Sequence, residues 1–586
     1  MCSLFLLTQS GEAWAQLRIV SFNTLGNPRT GTAEVYTALG VESVNGIARA
    51  PDIITLQEQS SGVTANHLAL LNSLYGANTY AATTLFGAGD TTHAIFYRTA
   101  SVQLIGQELI GTSSTSGQPR QGLRAEFRPV GYDSSADFYV YNSHFKSSDS
   151  SADSNRRNAE AITMRENADA LGAGQHILYT GDFNFYRSSD PAFQTLTSAG
   201  NAQAFDPINR VGSWHDNASF LDTHTQNPRA GTNQGGVDDR FDWQLATAAF
   251  LDKEGLSYIG GSYHAFGNTG THQLNGSITS GSAAALAERL PGYTESQAAG
   301  VLSALASASD HLPVVADYQL PARMGVTAPL SLGPVISGAS VNVTFTVANT
   351  AGVVAANGAD ELDYSYYAVS GLSGAGSGMD MALGGGNNHS LTLLTGGGGG
   401  ERTGVFEVES SSQSVAEGFA MRTVEYTVLD HAQASFSEFT TQTSKVADFG
   451  LLTLASGPIT LDAEVYNLIA PSGFTTGLDL DEILVSGDST LFSLSLMAFE
   501  GLDAGQAVGF EVAFLGAVAP GSYSAVYQFL VSDEDLPGAA ILHPLTFTVL
   551  ATVIPEPQVV LLALGGLVFL MLQARHRRPH SSLMGR

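Results

Sequence analysis

The densest chemistry in this 586-residue chain is the run Tyr179-Thr180-Gly181-Asp182-Phe183-Asn184. Apolar Ile177, Leu178 and Tyr179 lead into it as a buried strand, which stops at a glycine. Residues two apart at a strand end project the same way. Asp182 brings an acceptor and Asn184 both a donor and an acceptor. Converging on one point, they suit positioning a water or a phosphate oxygen beside a hard metal ion. Gly, Asp and Asn are also common turn residues, so the pair needs partners before it means catalysis.

Five other strand-like runs end in a polar side chain. Ile19-Val20-Ser21-Phe22-Asn23 presents Asn23, and Thr55-Leu56-Gln57-Glu58 presents Glu58. Tyr141-Asn142-Ser143-His144 presents His144, and Arg240-Phe241-Asp242-Trp243 presents Asp242. Ser309-Asp310-His311-Leu312-Pro313 presents Asp310 and His311 just before a final strand. Singly, such residues are mostly solvated or hydrogen-bonded. In this order they form a set.

The ordered set Phe22-Asn23, Gln57-Glu58, Asn142-x-His144, Gly181-Asp182-Phe183-Asn184, Phe241-Asp242-Trp243 and Ser309-Asp310-His311 resembles the motifs of the endonuclease/exonuclease/phosphatase superfamily, whose members include deoxyribonuclease I-like nucleases. The resemblance covers residues 17–320. It implies a four-layer α/β/β/α sandwich with the site at the open edge of two packed sheets. It implies Mg²⁺ as cofactor, with Mn²⁺ or Ca²⁺ as alternatives. Glu58 is then the principal metal ligand, with Asn23 and Asp310 beside the metal or its waters. Asp182 orients or deprotonates the attacking water and Asn184 binds the phosphate. His311, backed by Asp242, supplies a charged or proton-transferring imidazole, and His144 contacts the phosphate. Arg120, just before a strand, sits where nucleases of this family place a phosphate-binding arginine; Arg124 competes with it. Arg156 and Arg157 are expected to solvate a helix start. Asp90 is out of register for a second histidine–carboxylate pair with the segment around His93.

The elements that must hold these residues are a mixture of strands and helices. Strands are expected at residues 17–22, 52–56, 92–97, 123–127, 138–142, 177–180, 241–246 and 314–318, and helices at 35–50 and 152–171. This is an α/β layered domain of residues 16–320. Beyond Pro321 helical patterns vanish and alternation takes over, as in Val341-Asn342-Val343-Thr344-Phe345-Thr346-Val347. Two divergent copies of an all-β, immunoglobulin-like sandwich are expected, at residues 321–443 and 444–553. They read as spacers. The acidic stretch Asp479-Leu480-Asp481-Glu482 reads as a solvated face rather than a Ca²⁺ loop.

Charge separates the two halves. The chain carries −29 in all. Residues 17–320 hold 17 Lys+Arg against 28 Asp+Glu, net −11, and residues 321–554 hold 4 against 24, net −20. The second half has too few cations to engage a polyanion, whereas the first can still focus a phosphate locally. The single cysteine, Cys2, excludes a disulfide-stapled fold.

Both ends carry address-like segments. Leu4-Phe5-Leu6-Leu7, followed by Ala13-Trp14-Ala15, looks like the end of a truncated signal peptide, residues 1–15. Pro555-Glu556-Pro557, the apolar run Val559 to Leu572, and Arg575, Arg577 and Arg578 resemble a PEP-CTERM sorting tail, residues 554–586. That resemblance implies a C-terminal transmembrane helix in a bacterial membrane and processing by an exosortase-type protease. Delivery is then to the cell surface or the exopolysaccharide matrix. Together these readings describe an exported, surface-associated, metal-dependent phosphodiester hydrolase acting on a phosphate ester, with extracellular nucleic acid as the expected substrate. A sphingomyelinase-like phospholipase C and a phosphomonoesterase are the alternatives within enzymes. A matrix or adhesion protein with a degenerate enzyme domain is the alternative of another class.

Overall fold

The computed structural model describes residues 16–87, 92–112, 119–229, 235–516, 519–555 and 571. Two sheets face each other in the first half. One has the order Ser257–Tyr258, Val314–Gln319, Gln16–Asn23, Ile53–Gln57, His93–Arg98, Tyr80–Ala82. The other runs Asp242–Ala246, Ile177–Asp182, Phe138–His144, Gly122–Pro129, Val102–Ile110. Strand alternation explains the layering. In Gln16–Asn23, Leu17 and Ile19 point between the sheets, where they meet Phe127, Val140 and Leu178. Val20 and Phe22 point the other way, against Val35 and Leu39 of helix Thr32–Leu39 and Val301 and Leu305 of helix Glu295–Ala308. On the far side, Tyr141, Ile177 and Tyr179 pack on Ala161, Met164 and Ala168 of helix Ser151–Asp169. The order helix, sheet, sheet, helix is the four-layer sandwich expected. Burial on both faces is why these strands read as continuous apolar runs.

Two parallel pairs place the site. Gln16–Asn23 runs parallel to Ile53–Gln57, with Asn23 opposite Gln57. Phe138–His144 runs parallel to Ile177–Asp182, with His144 opposite Asp182. All four strands therefore end at the same edge of the sandwich. Polar struts between the sheets hold these ends in line. Gln57 Nε2 donates to Asn142 Oδ1 at 2.7 Å, and Asn142 Nδ2 donates to the carbonyls of Leu56 and Ala94, both at 3.0 Å.

Some local expectations need correction. The helix expected over 35–50 ends at Leu39, because Asn45 and Gly46 take positive φ (54° and 78°) and turn a small hairpin of Ser43–Val44 against Ile47–Ala48. Helices Ser61–Tyr75, Pro191–Thr197, Ala283–Ala287 and Glu295–Ala308 and strand Val102–Ile110 had no sequence-based expectation. Arg157 does not solvate a helix start: it is fully buried, pairs with Asp190 at 2.7 Å and caps the carbonyls of Lys146 and Ser148. Arg156 lies against Glu160 at 3.5 Å.

The second half contains two nine-strand sandwiches of identical topology. Numbering the strands of each copy one to nine, both have a four-stranded sheet 1-3-7-5 and a five-stranded sheet 2-9-8-4-6, with strands 2 and 9 parallel. The first strand of the second copy, Ala434–Ser435, pairs with Ile459–Asn467, so the segment before residue 444 packs with the second copy. An asparagine closes the third strand of each. Asn349 Oδ1 accepts from Arg323 N (3.2 Å) and its Nδ2 donates to Asp360 O (3.0 Å). Asn467 does the same with Gln433 N (3.0 Å) and Thr476 O (2.9 Å). Asp479 and Asp481 lie on strand Leu478–Gly487 and accept from Gly501 N and Ser532 Oγ. Among the described residues no helix is long and apolar enough to cross a membrane. The leader, Asp90 and the apolar tail, Met571 apart, lie outside the described residues.

Candidate active site

The strand ends open into a cleft of about 790 Å³. Asn23, Glu58, Arg120, His144, Asp182, Asn184, Asp310 and His311 all line it. Asp242 stands directly behind His311. Residues scattered over nearly 300 positions thus meet at one point.

Backbone conformation aims several of them. Gly181 has φ 140°, and a Cβ there would lie 1.9 Å from Ser143 O, so only glycine lets the two parallel strands close up before Asp182. Glu58 (φ 63°) and Asn184 (φ 51°) take left-handed backbone conformations, which asparagine tolerates far better than glutamate. Phe183, between the two site residues, points into the apolar layer with Phe145 and Phe185. This is the two-residue periodicity at work.

Asp182 is the hub, with 2% of its surface exposed. Its Oδ2 lies 3.1 Å from Asn23 Nδ2, 3.3 Å from His144 Nε2 and 3.6 Å from His311 Nε2. Its Oδ1 accepts from the Asn184 amide N–H at 3.2 Å. Asn23 Nδ2 also reaches Glu58 Oε1 at 3.4 Å, while its carbonyl oxygen accepts from Leu25 N. Asn23 therefore bridges the two carboxylates. Asn184 Nδ2 donates to Phe145 O at 3.0 Å, which leaves its oxygen for the cleft.

The two imidazoles differ in charge. Burial pulls His311 down, but Asp242, hydrogen-bonded to Nδ1 at 2.7 Å, and Asp182 outweigh it, so its pKa stands well above the usual histidine value. Burial and the positive field of Arg120 hold His144 well below that value. Burial lifts Asp182 to about 7, with His311 opposing and Asp242 adding to the rise. A carboxylate poised near neutrality thus lies between a charged and a neutral imidazole. Gln226 Nε2 sits 3.0 Å from His311 Nε2. A charged imidazole has no acceptor, so this carboxamide must then offer its oxygen instead.

Arg120 enters the cleft and Arg124 does not. Arg120 donates to the carbonyls of His144 (3.2 Å) and Phe145 (2.6 Å), and its N–H to Glu160. Arg124 is held by Asn167 and Glu108. Sequence reasoning missed Gln226, which has no motif around it. It also gave no role to Ser309, whose Oγ donates to Asn23 O at 2.6 Å and ties the last motif to the first.

Glu58, Asp310 and the Asn184 carboxamide present oxygen donors to one cleft, the donor chemistry of a hard divalent cation. Asp182, Asp242 and His311 also bring three ligand-type atoms within 4.8 Å of one another.

No protein-family model and no curated protein matches the chain. Solved structures do. Humanized D. rerio TDP2 is 15% identical with a TM-score of 0.32, over 52% of this chain and 99% of that one. The human Nocturnin catalytic domain with bound sulfate is 15% identical with a TM-score of 0.32, over 53% and 96%. An endonuclease/exonuclease/phosphatase family protein from Bacteroides thetaiotaomicron is 16% identical with a TM-score of 0.31, over 52% and 98%. The first half of this chain has the four-layer α/β/β/α order and the edge-of-sheet cluster that the sequence resemblance implied.

Proposed function

We propose that this cleft hydrolyses a phosphodiester with the help of a divalent cation, Mg²⁺ before Mn²⁺ or Ca²⁺, and that the ester is nucleic acid. The observation that carries the reading is Asp182 held within 3.6 Å of both His144 and His311 in a cleft rimmed by oxygen donors. A cation held by Glu58 and Asp310 would neutralise phosphate oxygens. Asp182, with its pKa near 7, takes a proton from the attacking water. His311 keeps a positive N–H directed at the phosphate, and Asp242 stabilises that charge and orients the ring from behind. Arg120 and the Asn184 carboxamide orient the ester. Tyr186 and Phe241 line the same cleft with ring centroids 5.0 Å apart. Phe241 is only 4% exposed and stands edge-on to Tyr186, so half-buried Tyr186 is the ring of this pair that a base could meet. The joined set also speaks against a degenerate, purely adhesive protein.

The test uses the whole chain with Mg²⁺ against plasmid DNA, RNA, sphingomyelin and inositol phosphates. Asp182→Asn and Glu58→Gln should each lower turnover by roughly 10²–10⁴-fold while the circular dichroism spectrum is unchanged. Absence of hydrolysis of every substrate by the wild type rejects the enzyme reading. Cleavage untouched by both substitutions rejects this site. Export to the bacterial surface through the 554–586 tail is part of the proposal and rests on the sequence. Deleting that tail should shift the protein out of the membrane fraction, and an unchanged distribution would count against the anchor.

A further inference from the structure

A second cluster of ligand-type side chains, sharing no residue with Glu58 and Asp310, borders the same cleft. His215, Asp238 and Asp239 bring one nitrogen and two carboxylate oxygens within 4.8 Å of one another. His215 and Asp239 face the cleft, and His215 Nδ1 lies 2.7 Å from Asp239 Oδ1. Asp238 and Asp239 are only 5% and 7% exposed. Asp238 Oδ1 is buried without any hydrogen-bond partner.

The backbone holds the group rigidly. Asp238 N and Asp239 N both donate to Gln226 O, at 2.8 and 3.1 Å, and Gln226 N donates back to Asp239 O. Asp216 N donates to Asp238 O at 2.9 Å, tying the histidine's segment to the carboxylates. The His215 ring packs edge-on against Tyr186, with centroids 5.4 Å apart. Two adjacent buried carboxylates share one imidazole, so with both ionised one negative charge lacks a partner, which a proton or a bound cation must supply. Buried carboxylates without a partner are costly unless a cation joins them.

We propose that His215, Asp238 and Asp239 form a second divalent-cation site, distinct in residues from the Glu58–Asp310 rim, that takes a first-row ion such as Zn²⁺ or Mn²⁺. One imidazole nitrogen with two carboxylates suits these ions better than Mg²⁺, which prefers an all-oxygen shell. The half-exposed His215 is the entrance and Asp238 closes the back.

The test is titration of the full chain with Mn²⁺ alone, read by the electron paramagnetic resonance of free Mn²⁺ and by calorimetry. Two classes of site are expected. Asp238→Asn and His215→Ala should each weaken one class by about tenfold or more and leave the other in place. Glu58→Gln should do the reverse. If Asp238→Asn does not fold, His215→Ala decides, since that ring is half-exposed. Unchanged Mn²⁺ stoichiometry and affinity in His215→Ala overturns the site. A single class abolished by Glu58→Gln also overturns it, while leaving the phosphodiesterase reading standing.

Discussion

Asp242 acts on the cleft through one hydrogen bond, the 2.7 Å contact to His311 Nδ1. Removing its charge leaves His311 with burial against it and Asp182 and Asp310 in its favour. In Asp242→Asn, the His311 pKa should fall, a downfield-to-upfield change visible by imidazole NMR titration of the metal-free protein. An unchanged His311 titration would show that Asp182 and Asp310 suffice to hold the charge. Gly181 acts by what it lacks. Gly181→Ala puts a Cβ 1.9 Å from Ser143 O, and backbone cannot yield cheaply there. A loss of about 3 kcal/mol or more in denaturant-measured stability is expected. At this scale the sequence was legible where chemistry sits at a strand end. Asp182, Asn184, Glu58 and His311 are recognisable because a polar residue interrupting an apolar run is conspicuous. Gln226 was not, because it reaches His311 from a loop with no periodic pattern.

The ends of two parallel strand pairs set the cleft, and the distance between the sheets sets its width. Asn142 is the buried strut across that gap, bonded to Gln57, Leu56 and Ala94. Asn142→Leu keeps the volume but orphans those groups. A loss of about 3 kcal/mol is expected, since each unsatisfied buried partner costs roughly 1–3 kcal/mol. Turnover should fall as well, although Asn142 touches no substrate, and urea denaturation beside a kinetic assay would check both. The strands were readable from their apolar runs. Helix Ser61–Tyr75 was not. It buries only Thr64, His67 and Leu71 fully, while Leu74 is 38% exposed, so its apolar residues do not gather into one stripe.

The first half does not end cleanly at Leu320. Gln16 Nε2 donates to the carbonyls of Ala355 and Gly358, and Val354 N donates to Gln16 Oε1. Ala351, Val353 and Ala382 of the first sandwich belong to the same apolar cluster as Leu17 and Tyr318. A fragment of residues 16–320 should therefore melt below one of residues 16–430, measured by differential scanning calorimetry. Equal melting temperatures would show that the junction contributes nothing. Asp360 sits in that junction, 3% exposed, accepting from Ala322 N at 3.1 Å. Burial raises its pKa to about 7 against the backbone N–H groups that lower it. The folded state thus holds this proton more tightly than the unfolded chain. Stability from this group is present at acid pH and declines as pH rises from about 4 through about 7. Asp360→Asn should flatten the melting temperature of the longer fragment across that window.

The sequence by itself determined the order of the site residues, the two-part organisation and the mixed-then-all-β texture, because these follow from local periodicity and from polar residues breaking apolar runs. Only the tertiary structure decided which residues touch. It brought Asp182 within 3.6 Å of both His144 and His311, chose Arg120 over Arg124, buried Arg157 on Asp190, and gave the two divergent sandwiches one topology. The physical reason is that contacts between distant strands depend on register and on the offset between sheets. Close-packed side chains from the whole chain set these, and no local window of sequence contains them.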